Sequence, residues 1–260
     1  MKVKFYFEYK RLALLSVLSI FTGLIYSFST DIINKTSSVS SSFEAIVGYN
    51  DFFEYGLANL QGVIILFILS LPTINYYEKN LSKVNAYIFS RIKSKSKYFL
   101  TKFLYLCLFD LISSAFYSMS KMFFDKNFII SKNMALCFVN FFLALVIFSS
   151  FVCLMSVFIG CTRSYLIMVV IYCVLIFLVT TCYYNCNNIS VWMLILLNPC
   201  ARFMINWNGE YLQILSEFQT KMMLPVVSII YFAVLVLVSI LILIFTTNKY
   251  DISFKLYDEE

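Results

Sequence analysis

"MALCFVNFFLALVIFSSFVCLMSVFI", residues 134 to 159, decides the fold class. It carries no charged residue. It exceeds the ~20 predominantly apolar residues that an α-helix needs to cross the hydrocarbon layer of a bilayer. Similar runs recur along the chain. The whole sequence is 61% hydrophobic and only 13% charged, with a mean hydropathy of +0.84. A soluble domain is nearer half apolar and a quarter charged. The sequence therefore predicts an all-α integral membrane protein, since backbone polar groups in lipid must bond within their own segment.

We read six transmembrane helices: Leu12–Phe28, Leu57–Tyr77, Tyr98–Tyr117, Met134–Ile159, Tyr165–Tyr183 and Leu224–Thr246. They form a single transmembrane domain over residues 1–260. The first run has a basic start but is long for a signal peptide, and its flank carries aromatics and Glu8, so we expect it to be retained. Lys and Arg set the orientation. Fourteen of them lie at the N-terminus, in the second and fourth connections and in the C-terminal tail, against six in the other loops. The fourteen-residue side is the cytoplasmic one, and both termini lie there. Heavy use of Phe, Tyr, Ile, Lys and Asn suggests a low-GC bacterium, so the expected location is the bacterial cytoplasmic membrane.

Several chemistries are disfavoured by what the chain lacks. It has no His, the usual general base and metal ligand. Its eight cysteines include no CxxC pair, which argues against a zinc site, and most lie inside apolar runs where Cys acts as a small hydrophobe. Cys182 and Cys186 stand one helical turn apart, a spacing that rarely gives bridging geometry. No segment matches GxxxxGK[ST], so the chain has no ATPase motif of its own. We expect no enzymatic role, no metal and no bound cofactor.

Three places stand out. Asp110 is deep in the third apolar run, where a carboxylate costs ~2.5–3.5 kcal/mol to insert. Ser113 and Ser114 lie one turn on, within reach of hydrogen bonds to it. This group reads either as part of a translocation path or as a helix-packing contact. The fifth connection is oily rather than polar. Its run Val191–Leu197 is too short to span and ends at Asn198-Pro199, because the residue before Pro is pushed out of helical geometry. Ala201–Trp207 follows, so residues 189–207 read as an outer helix pair, either re-entrant or lying on the membrane surface.

The third place is "EKNLSKVNAYIFSRIKSKSK", residues 78–97. Leu81, Val84, Ile88 and Ile92 form one helical stripe, with Lys79 and Lys83 opposite. This is an amphipathic helix that needs a surface. Charge alone explains the "RIKSKSK" half, which anchors the loop to anionic lipid at ~1 kcal/mol per residue.

On these residues the chain resembles the membrane subunit of a type-2 ABC exporter, the permease class with six spans and a separate ATPase. In that family the second span leads into an acidic residue, a coupling helix, a basic turn and a Lys at the start of the third span. Glu78, the Leu81–Val84–Ile88–Ile92 stripe, Arg91 and Lys102 stand in those places. "ILLNPCARFMI" stands where the family has two short membrane-dipping helices. Its small size looks like the permeases that export bacteriocins and lantibiotics or give immunity to them.

The resemblance implies a dimeric ABC ATPase partner that uses ATP, and a second permease copy or a homologous permease. It implies an amphipathic peptide or lipid-like substrate. Membrane lipids are expected contacts and nucleic acid is not. The alternatives are a stand-alone immunity or sensor protein, and an ion-coupled secondary transporter with Asp110 as its buried ionisable group.

Overall fold

The structure is a computed structural model that describes residues 9–33, 60, 63–75, 95–124, 134–183, 197–200 and 225–249. Among them are six substantial helices and no strand: α1 (Tyr9–Ile33), α2 (Val63–Asn75), α3 (Lys95–Phe124), α4 (Met134–Ile159), α5 (Cys161–Tyr183) and α6 (Pro225–Lys249). Four contain stretches long and apolar enough to cross a membrane: Leu100–Ser120, Phe138–Ser156, Cys161–Leu178 and Val226–Phe245. Shorter apolar stretches, Ala13–Ile25 and Val63–Asn75, lie in α1 and α2. This is the architecture of a helical membrane protein.

The boundaries differ from the sequence reading in instructive ways. α3 begins inside the basic "KSK" and runs past Tyr117, because Lys and Ser continue a helix once apolarity ceases to be required. α5 begins at Cys161 rather than Tyr165. A single residue, Gly160 at φ 84°, makes the corner after α4, a left-handed conformation that favours glycine. Its N–H closes α4 on the Ser156 carbonyl at 3.2 Å, and its own carbonyl accepts both the N–H and the Oγ of Ser164. Arg163 therefore sits in the first turn of α5, not in a loop. α6 starts on Pro225, whose missing N–H is harmless at the first helical position.

Helix α4 is the hub. Of its apolar stretch 61% is buried inside the bundle, against 22% for α6. It packs on α3, α5 and α6, and α2 residues join the same core. Phe148, fully buried, meets Phe67 of α2 and stands edge-on to Tyr165 and Tyr172 of α5. In lipid there is little hydrophobic drive between helices, so small residues and close packing must supply the association. The α1–α3 contact is of that kind. A Cβ on Gly23 would fall 2.8 Å from Ser120 Cβ, and Ser120 Oγ donates to the Ile20 carbonyl at 2.8 Å.

Candidate functional site

Buried hydroxyls in this bundle mostly satisfy themselves. Ser19, Thr22, Ser70, Ser114, Ser118, Ser150, Ser156 and Ser239 each donate to a carbonyl three or four residues back in their own helix, at 2.7–2.9 Å. This back-bonding is the low-cost way to hide a hydroxyl in a helix.

Among the described Ser and Thr side chains, three close no such bond: Thr73 of α2, Ser113 of α3 and Ser149 of α4. All are fully buried, and none closes a hydrogen bond of full distance and angle. Asp110, also of α3 and the midpoint of the stretch Leu100–Ser120, is 0% exposed. Thr73 and Ser149 face its carboxyl from the two neighbouring helices. Yet neither carboxyl oxygen completes a hydrogen bond with them. Ser113 shares the Asp110 side of α3, being one turn on. The thiols of Cys107 and Cys153 flank the group. The result is a small set of oxygen atoms from three helices, carrying one carboxyl and no completed bonds.

The sequence expectation for Asp110 needs correcting in one respect. Ser113 and Ser114 do not hydrogen-bond to it. Ser114 instead spends its proton on the Leu111 carbonyl at 2.9 Å, as helical geometry permits, and Ser113 remains unpartnered. Thr73 and Ser149 were missed. Neither is distinctive in sequence: Ser149 shares a Ser-Ser pair with self-bonded Ser150, and Thr73 merely follows Pro72. Pro72 has no N–H for the turn before it, a defect that neighbouring helices can compensate in a membrane. Tyr165 donates to the Phe67 carbonyl at 3.0 Å and Cys161 Sγ lies 3.9 Å from the Ile74 carbonyl, tying this end of α2 to α5.

The Asn198-Pro199 turn forms a second polar locus. Asn198 Nδ2 donates to the Leu175 carbonyl at 2.8 Å, and its Oδ1 accepts the Cys200 N–H at 2.9 Å. Tyr231 of α6 donates to the Leu197 carbonyl at 2.6 Å. Leu175 lies about 12 Å from the Tyr183 end of α5 at 1.5 Å per residue. Residues 197–200 thus dock against the membrane-spanning stretches of both α5 and α6.

Lys102, near the start of α3, lies over the Tyr98 ring, 5.5 Å from its centroid. The coupling residues Glu78, Leu81, Val84, Ile88, Arg91 and Ile92 lie outside the described residues, as do Cys186 and most of 189–207. Cys107, Cys153, Cys161, Cys173 and Cys200 take part in no disulfide. Among the described residues no group of three or more His, Cys, Asp or Glu comes together. Comparison with known protein families, known proteins and solved structures gives no match for the chain.

Proposed function

We propose that the chain is the membrane-spanning permease subunit of an ATP-driven exporter, working with a separate ATPase. The feature that carries this reading is the basic, amphipathic stretch 78–97, which follows the apolar helix α2 and runs into the start of α3. An apolar stripe on a cytoplasmic segment needs a surface, and a nucleotide-driven partner seated there transmits its stroke as a rigid-body tilt. The six-helix layout with both termini inside, the dimeric pathway and the bacterial cell membrane belong to the same reading. The membrane-embedded docking of residues 197–200 supports the re-entrant form of the outer pair. A pathway opening there suits an amphipathic peptide or lipid-like substrate.

Co-purification with the ATPase tests it. Changing Leu81, Val84 and Ile88 together to Asp is expected to abolish the complex while leaving membrane insertion intact. A complex that survives this change would overturn the coupling role.

One observation favours a second reading, an ion-coupled secondary transporter: the fully buried carboxyl of Asp110. Transport by that protein would persist without ATP and fail in Asp110→Asn. A stand-alone immunity or sensor protein would instead protect cells with no ATPase present.

A further inference from the structure

We propose that Asp110, Thr73, Ser113 and Ser149 form a binding site for a small, hard monovalent cation of the Na+ or Li+ class, enclosed between α2, α3 and α4. The inference rests on neither transport reading, because such an ion can lock a permease or couple a transporter.

The contrast among hydroxyls carries the argument. Eight buried Ser and Thr side chains elsewhere in the bundle turn back onto their own helices. Ser120 reaches across to the Ile20 carbonyl of α1. Thr73, Ser113 and Ser149 close no such bond, two of them facing the Asp110 carboxyl and the third one turn along its own helix. An orphaned buried hydroxyl costs about 1–3 kcal/mol. Three such costs gathered around one acid are hard to explain as packing. They are what a cation's ligand set needs, since each oxygen keeps its lone pairs for the ion.

The chemistry of the set narrows the ion. Every ligand is an oxygen, which selects a hard cation. One carboxylate balances one positive charge. Ca2+ is typically held by several carboxylates, and Mg2+ demands octahedral geometry and gives up its waters reluctantly. Among the described residues, no Lys or Arg bears on the Asp110 carboxyl. The only basic residue in the stretch Leu100–Ser120 is Lys102, about 12 Å along the helix from Asp110. It lies over Tyr98 instead. The three helices also meet here rather than at an end. α4 packs on α3, and α2 residues share the core of α4. A bound ion would thus crosslink three helices at mid-membrane.

The test is thermal unfolding of the purified full-length protein in detergent, in NaCl, LiCl, KCl and choline chloride at matched ionic strength. A ligand that binds only the folded form raises the unfolding temperature in a saturable way. Na+ or Li+ is expected to do so, and choline is not. Asp110→Asn is expected to abolish the effect. Ser149→Ala and Thr73→Val are expected to raise the half-saturating concentration about tenfold, the loss of one contact to a charge. Superposed wild-type curves in all four salts would overturn the site. So would a Na+ response that survives in Asp110→Asn. Should Asp110→Asn not fold, the wild-type salt series together with Ser149→Ala still decides, because an unchanged half-saturation in that variant also overturns it.

Discussion

Asn198 and Asp110 are both buried polar side chains inside an apolar helical bundle, and the protein treats them in opposite ways. Asn198 commits both ends of its amide, one to the Leu175 carbonyl and one to the Cys200 N–H. It turns the chain before Pro199 and fixes that turn to α5. Asp110 commits neither oxygen. Where a polar group is there to hold structure, it is fully bonded, because an unmade bond in a low-dielectric interior is expensive. A buried group left unbonded at that cost points to another use. The contrast is open to attack by substitution, beginning with the tightest satisfied contact in the bundle.

The largest loss of stability is expected where helices approach most closely. In Gly23→Val the first added carbon already lies within 3.0 Å of Ser120 and of the Tyr117 carbonyl. Overpacking of this severity costs about 3 kcal/mol. Unfolding in detergent should report it, and Ser120→Gly in the same chain should recover part of the loss. A variant as stable as the parent would mean that α1 and α3 are not locked, and that fully satisfied contacts are not what holds the bundle.

Asn198→Ala comes next, at about 2 kcal/mol, since it removes two hydrogen bonds and strands the buried Cys200 N–H. Thiol labelling gives a local readout. Cys200 is 0% exposed in the native fold. Its labelling rate should rise in the variant while that of Cys153, buried on α4, stays low. Tyr231→Phe removes a single hydroxyl bond to the Leu197 carbonyl and should cost about 1 kcal/mol. Its effect on Cys200 labelling should be in the same direction and smaller. If Tyr231→Phe exceeded Asn198→Ala, α6 rather than α5 would be the main anchor of the turn.

How much of this was legible in the sequence follows from what each feature requires. The helical membrane class needs only uninterrupted apolar runs, and residues 134–159 announce it alone. Asn198-Pro199 was readable as a stop because proline acts on its immediate neighbour. Asp110 was visible because charge is rare in such a run. Its surroundings were not. Thr73 and Ser149 are brought to it by the packing of α2 and α4 on α3, and pairing between helices leaves no local pattern. The one-residue corner at Gly160 was equally hidden, because its left-handed backbone lets α5 begin among the polar residues Thr162, Arg163 and Ser164, where the apolar pattern placed a loop.

The smallest effect on stability is expected at the residue the sequence flagged most loudly. A carboxylate at the centre of a spanning helix costs ~2.5–3.5 kcal/mol to insert. Thr73 and Ser149 face Asp110 without closing full hydrogen bonds to it, so little of that is recovered. In Asp110→Asn the shape is kept and an amide donor is gained that can point at Thr73 or Ser149. In choline chloride the variant should therefore unfold within about 0.5 kcal/mol of the parent, or later than it, because no native bond is lost. The opposite result, a loss as large as that of Asn198→Ala, would place Asp110 among the residues that hold the helices together. The two buried polar groups would then differ in geometry alone, and the hydroxyls of Thr73 and Ser149 would have to be closing onto the carboxyl after all.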